Sequence, residues 1–295
     1  MNLLKNFAAM YDDDIETEIF DGLGEVPAAW KEYFNVEPTA KYINPKTLYS
    51  GMGSVPEWKD GAPIPMDNPL KIGDGTITQV FYGMAIAAAR KLVQYGEIAK
   101  IKRWAKSLGR SLGQTYGMTH ADVLNDAFTT TYAIMGTVAL ISASHTASGS
   151  ATRSNILAST ALTPSALETP IVQGMNAVNH RGLNDPIIYN KLITVPSLRR
   201  TATKILNSEG EPGTADNDIN TQRGMFALLI EPFASDSTTH WFLQAATHGL
   251  MSMHGMAPTP DEWMSRSSKS RIYSIEADFA VGVDFFEGMA GSQGA

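Results

Sequence analysis

Few residues of this 295-residue chain form a pattern that is typical of a catalytic site. Ser144 and His145 are adjacent, but nucleophilic catalysis needs a base that the fold positions, which adjacency does not supply. The chain has no Gly-x-Ser-x-Gly motif and no Gly-x4-Gly-Lys-Ser/Thr motif, so the nucleophile elbow and that type of phosphate loop are excluded. A soluble hydrolase using Ser144 and His145 is therefore kept only as an alternative.

Metal and thiol chemistry also lack the residues they need. The chain has no cysteine, which excludes disulfides, thiol nucleophiles and iron–sulfur clusters. His248 and His254 are six residues apart, which does not place them on one helix face. The methionines around His254 are better explained as adaptable apolar filling than as copper ligands. The acidic run 12–16 lacks the glycine and the final glutamate of a calcium loop. We predict no enzyme activity, no cofactor and no metal.

The charge is unevenly distributed along the chain. The net charge is −7, and residues 1–40 alone hold nine acidic and two basic side chains. Residues 86–115 hold seven basic side chains and one acidic one. This asymmetry predicts pairing of the two segments, within or between subunits, with two separately solvated faces as the alternative. The overall acidity argues against sequence-specific DNA binding, and no apolar run is long enough for a membrane helix.

One long amphipathic helix is the clearest element. Apolar residues recur at steps of three and four from Ile98 through Ile101, Ala105, Leu108 and Leu112, which predicts a helix over about 87–116. Thr119 begins a capping pattern, so we expect a second helical stretch over 121–132.

Two segments precede this helix. Residues 1–50 show scattered apolar residues without a sustained period, and we expect an extended arm. Residues 51–76 are rich in glycine and proline, which excludes a helix and favours a protruding hairpin loop. Trp58 lies in this loop, and a large ring is costly to leave in water. We expect the loop to dock on another subunit rather than fold back on its own core.

The second half reads as a mixture of helices and strands. Thr163 and Pro164 predict the start of a helix over about 164–179, which Pro170 should kink or break. Ser197 is expected to cap a helix ending near residue 206. Strands are predicted at 187–195, 225–230 and 241–244, and residues 142–161 and 207–224 read as polar loops. Strict alternation over 271–283 predicts a long half-buried strand.

Six short segments, in order, resemble one family. They are THADVLNDAF at 119–128, LISASHTASGSATRSN at 140–155, LTPSAL at 162–167, the strand and Pro-x-Leu helix at 192–205, THWFL at 239–243, and DFFEGMAGSQGA at 284–295. Together they resemble the major capsid proteins of tailed bacteriophages, in register from about residue 45 to the end. Pro170 departs from the family pattern, because it interrupts a helix that is usually intact.

The resemblance implies an α+β chain with the Hong Kong 97-type capsid fold. The implied parts are an N-terminal arm (1–49), an extended hairpin loop (50–80), a peripheral domain with a long spine helix and a long strand (81–128 and 271–295), and an axial domain (129–270). The loop at 207–224 would then point at the local symmetry axis of a capsomer.

The implied function is that of a major capsid protein that self-assembles into the icosahedral head shell around a double-stranded DNA genome. The implied partners are further copies in pentamers and hexamers, a portal at one vertex, a possible cement or decoration protein, and packaged DNA contacted non-specifically, with no membrane. Because the sequence starts directly at a short arm, we also expect a separate scaffolding protein. The protein would reside in the virion after assembly in the bacterial cytoplasm. A decoration or tail protein is the structural alternative, and it would lack the long helix.

For a shell protein the functional residues lie at subunit interfaces, and extended segments with aromatic anchors suit that role. The predicted interface residues are Trp30, Tyr33, Phe34, Pro56, Trp58, Lys59, Arg103, Arg110, Asp216 and Asn217. No catalytic, cofactor-binding or metal-binding residue is predicted.

Overall fold

The described part of the chain contains helices, two four-stranded sheets and two two-stranded sheets, which confirms the predicted α+β class. The structure is a computed structural model that describes residues 3–95, 97–132, 138–146, 152–212 and 218–295.

The first sheet has the strand order β1–β10–β11–β4. Its strands are β1 (Asn35–Pro38), β4 (Val80–Ala88), β10 (Leu250–Met264) and β11 (Arg271–Val283). Strand β1 runs parallel to β10, and the other two pairings are antiparallel. The bounds of β11 are those predicted, but the strand is more than half-buried, because Ser274 and Asp278 on its second face are also buried.

Two long helices pack together beside this sheet. Helix α3 (Ile98–Asn125) is continuous and follows a short helix, α2 (Arg90–Gln94). The sequence predicted two helices, over 87–116 and 121–132. The predicted interruption between them was wrong, because α3 continues through Thr119. The expectation of an extended arm was also wrong, because residues Leu3–Gly24 form helix α1. The buried side chains of Ile15 and Ile19 are four residues apart and face α3.

The second sheet has the order β12–β9–β7–β8. Its strands are β7 (Tyr189–Thr194), β8 (Ala227–Ile230), β9 (Trp241–Ala245) and β12 (Met289–Ser292). The predicted strands at 187–195, 225–230 and 241–244 are confirmed in kind, with slightly different ends. Strand β7 pairs in parallel with β8 and antiparallel with β9.

Helices α4 (Pro164–Met175) and α5 (Arg199–Asn207) pack against this sheet. The Thr163 hydroxyl accepts a hydrogen bond from the Ala166 amide, as expected of a cap, but α4 continues through Pro170 and ends before 179. The predicted cap at Ser197 was wrong, because a 3-10 turn (Pro196–Leu198) precedes α5 and the Ser197 hydroxyl donates to the Thr238 carbonyl instead.

Two strands pair across the predicted domain boundaries. Strand β10, inside the predicted axial range 129–270, pairs with β11 and β1 in the first sheet. Strand β12, inside the predicted peripheral range, pairs with β9 in the second sheet. The division into a peripheral domain (81–128 and 271–295) and an axial domain (129–270) stays a prediction.

An antiparallel hairpin projects from the first sheet. It consists of β2 (Ile43–Tyr49) and β3 (Lys71–Thr78), joined by the loop 50–70. The hairpin therefore begins earlier than the predicted residue 50. A short pair, β5 (His145–Thr146) and β6 (Thr152–Arg153), and a 3-10 turn at Ala29–Glu32 complete the elements.

The described residues form two large apolar cores, beside a small apolar cluster of Ile77, Met251, Met253 and Ala280. One lies between α1, α3, the first sheet and one face of the second sheet. The other lies between the opposite face of the second sheet and helices α4 and α5.

Candidate subunit interfaces

The tip of the hairpin loop carries large apolar side chains that its own chain leaves uncovered. Val55 is 95% exposed, Met66 94% and Trp58 56%, and Pro56 and Lys59 between them are exposed as well. The Trp58 ring nitrogen donates to the Ala62 carbonyl at 2.7 Å, a contact inside the loop itself. The loop does not fold back over its own core, and an apolar surface of this kind indicates an interaction site.

The three aromatic residues predicted as anchors on a neighbouring subunit lie instead in the core of their own chain. Trp30, Tyr33 and Phe34 are 5%, 0% and 5% exposed. The Trp30 ring stacks on His120 at a centroid distance of 4.0 Å. These residues fix the segment after α1 to the first core, and they leave too little surface for a contact with another subunit.

A buried hydroxyl–carboxyl pair reinforces this attachment. The Tyr33 hydroxyl donates to Glu231 Oε2 at 2.8 Å, and the Phe233 amide donates to Glu231 Oε1 at 3.1 Å. Burial raises the pKa of the Glu231 carboxyl above its ordinary value. Burial, together with the neighbouring Glu231, raises the pKa of the Tyr33 hydroxyl well above its ordinary value. Nothing in the spacing of residues 33 and 231 could have predicted this contact.

A chain of polar groups lies beneath Trp30. His120 Nδ1 is 2.7 Å from the Tyr116 carbonyl, and its Nε2 is 2.8 Å from the Ser252 hydroxyl, which is 3.0 Å from His254 Nε2. Because a carbonyl oxygen only accepts, Nδ1 of His120 carries the proton and Nε2 accepts from Ser252. Burial lowers the pKa of His120 to about 3. Ser252 is fully buried, so this serine–histidine contact is structural.

The predicted pairing of the acidic and basic segments is confirmed within one chain. Lys102 lies 2.8 Å from Asp14, and Lys106 lies 2.6 Å from Glu25. Arg110, predicted at a subunit interface, lies 3.7 Å from the same Glu25. The hydrogen bond from Lys106 lowers the pKa of Glu25. Helix α1 thus neutralises part of the basic face of α3.

Glycines let the two helices approach closely. A Cβ atom on Gly109 would lie 1.8 Å from the Ile19 carbonyl oxygen, and one on Gly22 would lie 2.0 Å from the Lys106 carbonyl oxygen. Gly109 and Gly113 are four residues apart on α3, a spacing that places two small residues on one helix face and so permits a close helix contact.

The remaining predicted interface residues have different outcomes. Arg103 is exposed on α3, where its Nε donates to the Ala99 carbonyl at 3.3 Å. Asp216 and Asn217 lie outside the described residues. The base of their loop is held by the Asn220 side chain, which donates to the Ile205 and Ser208 carbonyls.

The geometry around Ser144 and His145 does not support hydrolysis. The Ser144 hydroxyl lies 3.3 Å from that of Ser142, whereas His145 Nε2 lies 2.9 Å from Asn155 Oδ1. The His145 ring is buried and stacks on Phe286 at 3.8 Å. The histidine is therefore engaged in packing rather than placed to accept a proton from the serine.

Two other kinds of site are absent from the described part of the chain. It contains no cluster of three or more histidine, aspartate or glutamate side chains suited to a metal ion. It also contains no helix with the length and apolar character needed to cross a membrane.

The chain is similar to known proteins in its family and in its fold. A family model described as phage capsid protein matches residues 74–291. A comparison with curated protein sequences finds no match.

Among solved structures, the capsid of an empty GTA particle superimposes with a TM-score of 0.58 at 13% identity, over 91% of this chain and 90% of that one. The virus-like particle from Pyrococcus furiosus gives 0.56 at 10% identity, over 96% and 99%. A structure from Microbacterium phage Oxtober96 gives 0.52 at 9% identity, over 92% of each chain. At these identities the likeness shows the fold.

Proposed function

The chain belongs to the phage capsid protein family and is a major capsid protein with the Hong Kong 97-type fold, and from this premise we propose that its copies close into the icosahedral head shell of a tailed phage. Shell formation by copies of one chain follows from the family. The symmetry of the shell, its pentamers and hexamers and its double-stranded DNA content are our proposal.

The observation that carries the proposal is the uncovered tip of the hairpin loop. Its apolar side chains project from a two-stranded stem, and the described residues of the same chain leave them in solvent. A second copy that received Val55, Trp58 and Met66 would bury that surface. Because burial of apolar area is the main driving force of protein association, the tip suits an interface repeated around a shell.

The proposed interface differs from the one predicted from sequence. Pro56, Trp58 and Lys59 remain in it, and exposed Arg103 can join it. Trp30, Tyr33 and Phe34 are used within the chain, and Arg110 faces Glu25 of its own subunit. Asp216 and Asn217 remain predicted contacts at the local symmetry axis.

We further propose that the shell encloses its genome without binding it tightly. The chain carries a net charge of −7, and two of the lysines on α3 are paired with acids, Lys102 with Asp14 of α1 and Lys106 with Glu25 just after α1. We expect contact with DNA phosphates to be weak and non-specific. A scaffolding protein, a portal, a decoration protein and assembly in the bacterial cytoplasm remain predictions that follow from the resemblance.

We propose a structural role without catalysis. The arrangement of Ser144 and His145 supports this, since the serine contacts Ser142 and the histidine contacts Asn155.

Sedimentation velocity over a concentration series, with electron microscopy of the fast fraction, tests the proposal. We expect closed shells, or rings of five and six subunits, with a fraction that grows with concentration. A species of one or two chains at every concentration would contradict the assembly proposal, and a hydrolase assay would then be the next measurement.

A further inference from the structure

The neck of the hairpin loop, which consists of residues 50–53 and 67–70, is held to a distant part of the chain by the guanidinium of Arg181. Arg181 Nη2 donates to the Asn68 carbonyl at 2.6 Å and to Asp67 Oδ1 at 3.2 Å, and its Nε lies 3.4 Å from the Ser50 hydroxyl. Ser50 and Asn68 lie at opposite ends of the loop. Arg181 therefore holds both arms of the neck at once.

The neck is closed by its own hydrogen bonds around this contact. The Gly53 amide donates to Asp67 Oδ2 at 2.8 Å, and the Leu70 amide donates to the Ser50 hydroxyl at 2.9 Å. The Gly53 amide, with a contribution from Arg181, lowers the pKa of Asp67, so this carboxylate is ionised opposite the guanidinium. Among the residues that the structure describes, no hydrogen bond or ion pair joins the tip beyond the neck to another part of the subunit.

A preorganised turn presents Arg181 to the neck. Asn179 Oδ1 accepts hydrogen bonds from the amides of Arg181 and Leu183, at 2.8 and 3.1 Å. Gly182 has a φ of +77°, a conformation that favours glycine. A bridge between Val178 and Asn184 closes the turn. The guanidinium therefore projects from a fixed turn rather than from a mobile segment.

The neighbouring residue attaches the same turn to the protein interior. His180 Nε2 lies 2.7 Å from Glu287 Oε1, and Arg153 Nη1 lies 2.8 Å from the same oxygen. Burial alone would raise the pKa of Glu287, but His180 and Arg153 beside it lower that pKa below its ordinary value. His180 points inward and is buried, whereas Arg181 points to the neck. Two consecutive residues thus connect the loop neck to the segment before β12.

We infer that Arg181 is the positioning residue that fixes the direction in which the hairpin tip leaves the subunit, with His180 anchoring it. The inference rests on the proposed function, because a tip that docks on a second copy sets the angle between neighbours. A hairpin held only by its stem could pivot, since a two-stranded ribbon has little stability of its own. The neck contact restricts that pivot and so makes the angle, and the curvature of the shell, uniform.

The first test measures amide hydrogen exchange in chains that have not assembled. In Arg181→Ala we expect the amides of Gly53, Asn68 and Leu70 to exchange about tenfold faster, with unchanged exchange in α3. Arg181→Lys keeps the positive charge but loses the several donors of the planar guanidinium, and it should give an intermediate exchange rate. His180→Ala should also accelerate exchange in the neck, although it does not touch the loop. Arg223→Ala, which removes an exposed arginine paired with Glu209 elsewhere, is the matched control and should leave the neck unchanged.

The second test measures the diameters of assembled particles by electron microscopy. Arg181→Ala should give a broader distribution of diameters, or open sheets, whereas Arg223→Ala should match the wild type. Unchanged exchange in the neck of Arg181→Ala would overturn the tie itself. Faster exchange with particles as uniform as the wild type would overturn the positioning role. If the wild-type chain formed no particles, the proposed function would fail, while the exchange experiment would still decide whether Arg181 holds the neck.

Discussion

At the scale of single residues, the buried histidines make the stability of the folded chain depend on pH. Burial lowers the pKa of five of the six histidines, most strongly that of His120, to about 3, and that of His248, to about 4. A lowered pKa in the folded state means that the unfolded chain binds more protons. This contribution to stability is therefore complete above the unfolded value near 6.5 and is lost as the pH falls towards the folded value.

Replacing His120 should flatten the dependence of stability on pH. Near pH 5.5 this one histidine contributes a slope of about 1 kcal/mol per pH unit, because it is protonated only in the unfolded chain. We would measure urea unfolding of His120→Asn between pH 5 and 7.5. Near pH 5.5 the free energy of unfolding should change with pH less steeply than in the wild type, by about that amount, and the variant should be less stable at every pH.

Ser252→Ala provides the control for this prediction. It removes the hydroxyl that donates to His120 Nε2 but leaves the titrating ring in place. We expect a loss of stability at every pH with an unchanged slope. If His120→Asn kept the wild-type slope, the pH dependence would have to arise elsewhere.

Residue type alone could not separate the two kinds of aromatic residue in this chain. Trp30 and Trp58 both lie in segments without a helical or strand period, and the sequence predicted the same role for both. Trp30 is buried because His120, Tyr116 and Phe34 surround it, and all but Phe34 are distant in sequence. Trp58 donates to Ala62 within its own loop, and the described residues leave its ring 56% exposed. The difference is set by tertiary contacts, which a linear pattern does not contain.

At the scale of elements, the contact between α1 and α3 depends on the absence of side chains. Gly109 faces the backbone of α1, which cannot move aside as a flexible side chain could. At Gly24, at the end of α1, a Cβ would have no described atom from another part of the chain within 4 Å. The two glycines are thus matched in type and opposite in environment.

Gly109→Ala should therefore separate the helices, whereas Gly24→Ala should not. Overpacking at Gly109 is expected to cost about 1–3 kcal/mol, and hydrogen exchange in α1 over residues 13–24 should accelerate. Gly24→Ala should be neutral or slightly stabilising, because it restricts the unfolded chain. Thermal unfolding and hydrogen exchange of both variants give the comparison. Equal stability of the two would show that α1 does not pack on α3 as closely as the structure has it.

Elements with a local signal were predicted, and elements that depend on distant partners were not. Strand β11 alternates regularly, and its predicted bounds match the structure. Strand β10, with a sequence of methionine, histidine, glycine and proline, has no such alternation, and it is a strand because β1 and β11 pair with it on either side. Helix α1 was missed because its acidic residues obscured the four-residue spacing of Ile15 and Ile19, whose burial requires α3.

At the scale of the whole molecule, the chain separates what holds the subunit together from what is available to join subunits. Helix α1 and the aromatic residues after it are used inside the subunit, where Tyr33 reaches Glu231 across the core. The hairpin tip contributes little to that core, since its apolar side chains are in solvent. A substitution at the tip should consequently change assembly and leave folding unchanged, which few other regions of the chain would allow.

Trp58 offers the sharpest test of this separation. Trp58→Asp places a charge in the proposed interface, and loss of a central aromatic anchor typically costs 2 kcal/mol or more, equivalent to about a 30-fold rise in the concentration needed for assembly. Trp58→Phe keeps the ring and should assemble at a concentration close to that of the wild type. Both variants should unfold at the wild-type urea midpoint, because the hydrogen bond of the indole nitrogen is to Ala62 in the same loop. Assembly of Trp58→Asp at the wild-type concentration, measured by light scattering and sedimentation, would place the interface elsewhere than the hairpin tip.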